Sequence, residues 1–195
     1  MCWEVRSERS VYAGGGLEIR IADVELPGGR REERHLVRVA PCAGAVVVDR
    51  RERVLLVRRH RLATGSRAWE IPLGEVAEGE LPQEAACRAV EEQAGWRPGP
   101  VAPLLAVQPA NRISDGLHYV YRGESPVYLG PPAGRGRAEW VPLSRVRRLA
   151  DEGEIVCGTT LSAVLRVLLD RPAPAPPPGA RERPLLLRDL PGLET

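Results

Sequence analysis

Residues 74–80 read GEVAEGE, and residues 81–96 continue as LPQEAACRAVEEQAGW. Pro82 suits the first turn of a helix, where its missing N–H is not needed, and Gly95 suits the position just after the last turn. Between them, small apolar residues recur at helical spacing. The stretch therefore predicts a glycine-containing loop that leads into a helix with carboxylates on its surface.

The residues before this stretch have strand patterns. Residues 17–26 alternate apolar and polar side chains and stop at the turn signal Pro27-Gly28-Gly29, which predicts a strand that returns as residues 35–39. Residues 44–49 and 54–59 are rich in β-branched side chains and flank a charged turn. They predict a central hairpin.

The later residues mix strands with helices. Strands are predicted at 101–107, 117–121 and 139–142, and helices at 143–151 and 159–169. The last helix is expected to bury an apolar stripe made of Leu161, Val164, Leu165 and Leu168. The glycine-rich residues 13–17 are predicted to be a loop that follows no strand. Helices inserted among the strands of a mixed sheet define the α+β class.

The length predicts one domain, because 195 residues, 43% of them hydrophobic, supply one sizeable core but not two. We expect this domain to cover residues 1–170, with N-terminal strands in 1–40 and the core in 41–170. Prolines in residues 171–179 predict an extended linker. The apolar residues 183–193 are expected to form either a disordered tail or a segment that docks onto this domain or onto a protein partner.

Composition excludes several classes of protein. The net charge is only +2, with arginines and glutamates interleaved, which is not typical of a nucleic-acid surface. Every basic side chain other than histidine is an arginine, which suits small anionic ligands. The four cysteines lie far apart without metal-ligand spacing, and no apolar run is long enough to span a membrane. We therefore expect a cytoplasmic protein with free thiols.

The opening stretch resembles the Nudix box, which is a glycine, five residues, a glutamate, seven residues and then Arg-Glu-apolar-x-Glu-Glu-x-Gly-apolar. The matching residues are Gly74, Glu80, Arg88, Val90, Glu92, Gly95 and Trp96. Ala89 and Gln93 stand where the family has glutamates. The resemblance implies the Nudix fold, a mixed β-sheet sandwiched between helices in an α/β/α arrangement.

Similarity to the ADP-ribose pyrophosphatase branch of the family extends over most of residues 10–170. It includes LLVRRHR at 55–61, WEIP at 69–72 and the loop at 111–115. This resemblance implies a nucleoside-diphosphate ligand, such as ADP-ribose or a nucleotide sugar, and a homodimer that exchanges N-terminal strands. It places Arg61 and Glu70 at the diphosphate and ribose side of the pocket, and it places Ser114 and Asp115 in a substrate loop.

The same resemblance implies that the box binds Mg²⁺ or Mn²⁺ if the protein is active, and the alternative is a protein without a cofactor. In the family, the metal ligands are carboxylates at positions that correspond to 89, 92 and 93, helped by a backbone carbonyl that corresponds to Leu73. Only Glu92 keeps its charge here, so Glu92 and Leu73 are the candidate metal ligands. Ala89 has no ligand atom, and Gln93 keeps a neutral carbonyl without the charge that holds a hard cation.

The candidate catalytic residues are Glu92, Glu80 and Arg88. The resemblance assigns Glu80 and Arg88 chiefly to an ion pair that fixes the loop against the helix. In this branch an acidic loop before the last strand often supplies the catalytic base, but residues 130–138 read GPPAGRGRA and contain no carboxylate. Arg135 and Arg137 would either offer positive charge to an anionic ligand or lie in solvent on a glycine-rich loop.

Three functions remain open from the sequence. The first is a Nudix protein that keeps a nucleoside-diphosphate pocket but whose pyrophosphohydrolase activity is impaired or lost. The second is an active, diverged pyrophosphohydrolase that uses its remaining carboxylates with an atypical metal arrangement. The third is a non-catalytic subunit that binds a protein partner.

Overall fold

A computed structural model describes residues 3–132 and 137–170 of the chain. Within these ranges the chain forms two compact units. One comprises residues 3–41 and 108–117, and the other comprises residues 42–107, 118–132 and 137–170. No helix in these ranges is long and apolar enough to cross a membrane. The predictions for Arg135, the linker at 171–179 and the tail lie outside the described residues.

The first unit is built on a three-stranded antiparallel sheet in the order β1-β2-β3. Its strands are β1 (Glu4–Gly14), β2 (Leu17–Glu25) and β3 (Arg31–Val39). The prediction that residues 13–17 are a loop that follows no strand was wrong, because Ala13 and Gly14 end β1, Leu17 begins β2, and Gly15 and Gly16 form the turn between them. Nearly every β1 side chain is exposed, so β1 lacks the apolar alternation that reveals a half-buried strand.

The second unit is built on a seven-stranded mixed sheet in the order β12-β5-β4-β10-β9, with β6 paired to β5 and β7 paired to β4. Its elements in chain order are β4 (Cys42–Val48), β5 (Arg53–Arg61), β6 (Ser66–Glu70), β7 (Leu73–Glu75), α1 (Pro82–Ala94), β8 (Trp96–Arg97), β9 (Val101–Val107), β10 (His118–Glu124), β11 (Val127–Tyr128), β12 (Arg137–Pro142), α2 (Leu143–Asp151) and α3 (Gly158–Leu169). The short strands β8 and β11 pair with each other.

The central hairpin opens soon after its turn. Strands β4 and β5 pair at Val48 and Val54, and farther from the turn each takes a different neighbour. Strand β6 pairs with the end of β5, and β7 pairs with the start of β4. Strands β6 and β7, which precede α1, therefore pair with β5 and β4 where these two central strands no longer pair with each other.

Helices cover both faces of this sheet. Helix α1 packs its buried residues Val90 and Ala94 against Val47 and Leu55 on one face. On the other face, residues of α2 and α3 share a core cluster with Val46 and other sheet residues. Strands β4 and β10 are parallel, whereas the other pairs are antiparallel. The predicted α+β class and the sheet sandwiched between helices are thus confirmed.

The predicted apolar stripe of α3 was partly wrong. Leu165 and Leu168 are exposed, whereas the buried residues are Thr159, Thr160, Ala163, Val164 and Val167. The threonines face inward because their hydroxyls have partners in the core: Thr160 Oγ1 accepts the Ile71 N–H at 3.2 Å. Such bonds remove most of the cost of burying a hydroxyl, so polarity does not identify the outer face of this helix.

Candidate functional site

The approach of β7 to β4 depends on Gly44. Leu73 lies opposite Gly44, and Pro72 O accepts the Ala45 N–H at 3.2 Å. A Cβ atom at Gly44 would lie only 2.3 Å from Pro72 O. Only glycine therefore lets the strand that precedes the box lie this close to the central sheet.

Helix α1 begins and ends where the sequence predicts. Pro82 occupies its first turn, and the Glu84 carboxylate accepts the Leu81 N–H at 3.3 Å. Gly95 ends the helix with φ of 71°, and its N–H donates to Glu91 O. This αL position is unfavourable for residues with a Cβ, so Gly95 fixes the point where the chain leaves the helix.

The Glu80–Arg88 pair connects the loop to the helix. Arg88 Nε and Nη2 each donate to a Glu80 carboxylate oxygen at 2.8 Å, and Nη2 also donates to Glu75 O at 2.9 Å. Glu80 Oε2 accepts the Ala77 N–H as well. The Arg88 guanidinium and this N–H lower the pKa of Glu80 to about 2, so the carboxylate stays ionised and engaged. The geometry is that of a structural clamp.

Gln93 occupies the place at which the box would bind its metal. Its amide Nε2 donates to Leu73 O at 2.9 Å, and its Oε1 accepts the Leu73 N–H at 3.1 Å. The two bonds join α1 to β7. They engage the backbone carbonyl that we expected to coordinate a cation, and they need no charge.

The groups next to Gln93 are not metal ligands. Ala89 is completely buried, and a Cβ built on Gly74 would lie 3.6 Å from the Ala89 methyl carbon and 3.7 Å from Gln93 Nε2. Mg²⁺ requires oxygen ligands at about 2.0–2.1 Å and usually keeps several waters. A methyl group and an N–H donor do not meet that requirement.

Glu92 lies apart from this contact. Its side chain is 55% exposed, and its carboxylate lies 3.5 Å from Arg88 Nη1. Glu91 forms an ion pair with Arg97 instead. In residues 3–132 and 137–170, no three His, Cys, Asp or Glu side chains are grouped as a metal site. The residues present at the box therefore do not fit the divalent cation that the family implies.

Arg61 and Glu70, which the resemblance places in one pocket, form an ion pair with each other. Arg61 Nε donates to Glu70 Oε1 at 2.9 Å, and Arg61 Nη2 contacts Glu70 Oε2. Glu70 is only 4% exposed, so it needs a charged partner at this depth. The pair holds the end of β5 against β6.

Arg59 adds a second cation to the same face of β5, since alternate residues of a strand point to the same side. It is half-buried, and both burial and the nearby Arg61 lower its pKa. Arg59 forms no ion pair with any residue in the described ranges. Two arginines thus share one carboxylate, Glu70, and an anion would relieve their repulsion.

Ser114 and Asp115 belong to the first unit. Asp115 Oδ1 accepts the Val39 N–H, and Oδ2 accepts from Arg38 Nη1, both at 3.2 Å. Ser114 Oγ accepts the Gly116 N–H at 3.0 Å. These bonds attach the loop to β3. The role of Ser114 and Asp115 in substrate binding stays a prediction.

The sequence reasoning missed two features of the site. It considered the carbonyl oxygen of Gln93 as a neutral ligand but not its N–H donor, although a glutamine has both a donor and an acceptor and can bridge a peptide group. It also did not select Arg59, although its spacing of two residues from Arg61 on a strand predicts a shared face. Arg137, which was predicted to lie in the glycine-rich loop at 130–138, is the first residue of β12 and forms an ion pair with Glu139.

A loop and helix fixed by an arginine–glutamate clamp, on a mixed sheet covered by helices, are the architecture that the Nudix resemblance predicts. The NUDIX domain model matches residues 38–156, which is more than half of the chain. The chain therefore belongs to the Nudix family.

Similar proteins support the same family and its ADP-ribose pyrophosphatase-like branch. The chain is 37% identical over 171 residues to the CMP-5'-(N-acetyl-N-hydroxy-3-aminopropyl)phosphonate hydrolase of Streptomyces rubellomurinus, covering 86% of this chain and 83% of that protein. It is 28% identical over 172 residues to the ADP-ribose pyrophosphatase of Mycobacterium tuberculosis, covering 85% and 83%.

A solved structure supports the fold. The crystal structure of an ADP compounds hydrolase superimposes with a TM-score of 0.75 and 17% identity, covering 86% of this chain and 93% of that chain. This confirms the predicted Nudix architecture.

Proposed function

We propose that this Nudix protein binds a nucleoside-diphosphate-linked ligand and that its pyrophosphohydrolase activity is impaired at the metal-binding step. The observation that carries the proposal is the two-point hydrogen bond between the Gln93 amide and the Leu73 peptide group, beside the buried Ala89. It connects β7 to α1 where the family uses carboxylates and a cation.

The chemistry of the reaction explains why this exchange matters. Hydrolysis of a pyrophosphate needs its negative charge neutralised and a water activated for in-line attack, and divalent cations supply both in Nudix enzymes. Glu92 alone retains a carboxylate among the three expected positions. One exposed carboxylate binds Mg²⁺ weakly in competition with bulk water.

Binding of the ligand does not depend on the same groups. Arg59 and Arg61 lie on one face of β5, and among the described residues Glu70 pairs with Arg61 while Arg59 has no ion-pair partner. Guanidinium groups bind phosphate oxygens through paired N–H donors without a metal. We infer that these two arginines hold the diphosphate of the ligand. The nucleotide substrates named for the similar proteins belong to the same class of ligand. We also propose that the protein is cytoplasmic.

The test is to restore the missing ligands. Ala89→Glu/Gln93→Glu should gain Mg²⁺-dependent release of product from ADP-ribose, at least about 100-fold above the unaltered protein, because two carboxylates return to the metal face. The matched control Gln83→Glu/Cys87→Glu adds the same two charges at the same spacing on another face of α1. It should gain nothing.

The buried position of Ala89 calls for a second variant, since a glutamate there would disturb the packing. Gln93→Glu alone should gain measurable Mg²⁺ binding even if turnover stays low. Mg²⁺-dependent turnover by the unaltered protein at an ordinary rate of about 1 s⁻¹ or more would overturn the proposal.

A second candidate is an active hydrolase of CMP-linked phosphonates. It is favoured by the 37% identity to a hydrolase named for that substrate, and Glu92 would be its remaining carboxylate. This candidate predicts release of CMP from a CMP-linked phosphonate by the unaltered protein, and loss of that release in Glu92→Gln. Glu124→Gln, which also alters an exposed carboxylate, is the control and should keep full activity.

A further inference from the structure

A surface pocket lies at the start of β5, next to the turn that joins β4 to β5, whereas Arg59 and Arg61 lie at the other end of this strand. It measures about 420 Å³, within the usual range for small-molecule sites. Its wall includes Trp96, Trp140, Pro126, Ser125, Arg50 and Arg51. We call it the tryptophan pocket. β5 rises by about 26 Å from Arg53 to Arg61, so this pocket is separate from the Arg59–Arg61 face.

One wall of the tryptophan pocket is a fixed aromatic cluster. The rings of Trp96 and Trp140 meet edge to face, with centroids 5.2 Å apart and an interplanar angle of 88°. Tyr128 packs on Trp96 with centroids 5.0 Å apart. Both indoles remain only partly buried. Ring contacts of this kind hold the indoles in one orientation. The Arg53 guanidinium lies over the Trp140 ring, with its Cζ 5.7 Å from the ring centroid. The two perpendicular rings thus form a rigid aromatic corner against which a nucleobase can pack.

The rim of the tryptophan pocket is cationic. Arg50 and Arg51 are exposed, and neither forms an ion pair with any residue between 3 and 132 or between 137 and 170. The carboxylate in the wall, that of Asp49, is already engaged. Its Oδ1 accepts the N–H groups of Arg51 and Arg53 at 2.9 Å, and its Oδ2 accepts from Arg53 Nε at 2.8 Å. The arginines of the rim therefore keep their charge for an anion.

Backbone strain occurs beside the same cavity. Two non-glycine residues in the described ranges have positive φ, Glu52 at 55° and Ser125 at 51°. Glu52 lies in the turn that carries Arg50 and Arg51, and Ser125 lies in the wall of the pocket. Such conformations persist where the surroundings enforce them, and they concentrate at ligand sites.

We propose that the tryptophan pocket binds a nucleoside monophosphate, with its base packed against the Trp96–Trp140 corner and its phosphate held by Arg50 and Arg51. The aromatic wall recognises the base, and the two guanidinium groups recognise the phosphate. The site is independent of the Gln93 contact and of the function proposed above. A nucleotide bound here is a second ligand, because the pocket lies at the opposite end of β5 from Arg59 and Arg61.

Indole N–H signals in NMR spectra of the full chain test this site directly, since the protein has four tryptophans. Trp96→Phe and Trp140→Phe assign two of the signals. CMP should shift the Trp96 and Trp140 signals, with cytidine and inorganic phosphate each binding at least tenfold more weakly. Arg50→Glu/Arg51→Glu should weaken CMP binding, as measured by the shifts of these two signals, at least tenfold. Arg145→Glu/Arg147→Glu, with the same charge change on exposed residues of α2, should not.

Three results would overturn the proposal. Absence of any CMP-dependent shift at Trp96 and Trp140 would remove the site. Equal affinity for CMP and inorganic phosphate would mean that the wall does not recognise a base. Unchanged CMP affinity after Arg50→Glu/Arg51→Glu would mean that the rim does not hold the phosphate.

Discussion

Replacing Gln93 by glutamate should turn a metal-independent contact into a metal-dependent one. The change keeps the acceptor for the Leu73 N–H but replaces the Nε2 donor by an oxygen that faces Leu73 O across 2.9 Å. One hydrogen bond is lost, and one partly buried carbonyl is left without its donor. Without metal, we expect Gln93→Glu to lower the free energy of unfolding by about 2 kcal/mol.

Magnesium should reverse that loss in the variant only. A carboxylate beside a backbone carbonyl is a pair of oxygen ligands of the kind that Mg²⁺ prefers. At a Mg²⁺ concentration of about 100 times the dissociation constant, binding to the folded state contributes about 2.7 kcal/mol, which is enough to offset the lost bond. The unaltered protein should gain nothing, because its amide already satisfies Leu73.

Urea unfolding in EDTA and in Mg²⁺ measures both effects. For a slope of about 2 kcal/mol per M, the Gln93→Glu midpoint should fall by about 1 M in EDTA and recover in Mg²⁺. The control Gln83→Glu makes the same chemical change at an exposed site in the first turn of α1, where a negative charge is tolerated. An unaltered protein that Mg²⁺ stabilises as much as the variant would refute the reasoning, as would a variant that loses no stability in EDTA.

Three further changes test the fold around the site. Glu80→Gln should lower the free energy of unfolding at neutral pH. The difference in stability from the unaltered protein should disappear as the pH falls from 4.5 to about 2. In the folded protein Arg88 holds the pKa of Glu80 at about 2, and protonation of Glu80 removes the same charge as the substitution. Val164→Ala should cost about 2 kcal/mol in urea unfolding, whereas Leu165→Ala on the exposed side of α3 should cost less than about 0.5 kcal/mol. Gly44→Ala should cost at least about 2 kcal/mol in the same assay, because its Cβ would lie 2.3 Å from a backbone carbonyl oxygen.

Local signals in the sequence were sufficient to predict α1 and the central strands. Pro82 and Gly95 mark the ends of α1 because each residue has a backbone conformation that suits its position. Strands β4 and β5 are buried on both faces and read as continuous apolar runs. These features depend on neighbouring residues, so they can be read without the tertiary structure.

Other features depend on contacts between distant residues. β1 was missed because its side chains are mostly exposed and its pairing with β2 is carried by backbone groups. The inner face of α3 was misassigned because the Thr160 hydroxyl finds its donor on Ile71, far away in the sequence.

The candidate site could likewise be predicted only where its contacts are specified by the sequence pattern itself. The resemblance to the Nudix box predicted the Glu80–Arg88 clamp, since the family pattern includes both residues. The Gln93–Leu73 contact could not be read in that way, because a glutamine side chain bridges a peptide group only where a separate strand supplies one.

The most direct test of the central claim is calorimetric titration of ADP-ribose into the unaltered protein, once in EDTA and once in saturating Mg²⁺, with the products assayed in the same samples. If the Gln93 contact takes the place of the metal site, the dissociation constant should be the same in both conditions, and Mg²⁺ should not increase the release of AMP. Binding that requires Mg²⁺ and is followed by release of AMP would contradict the account.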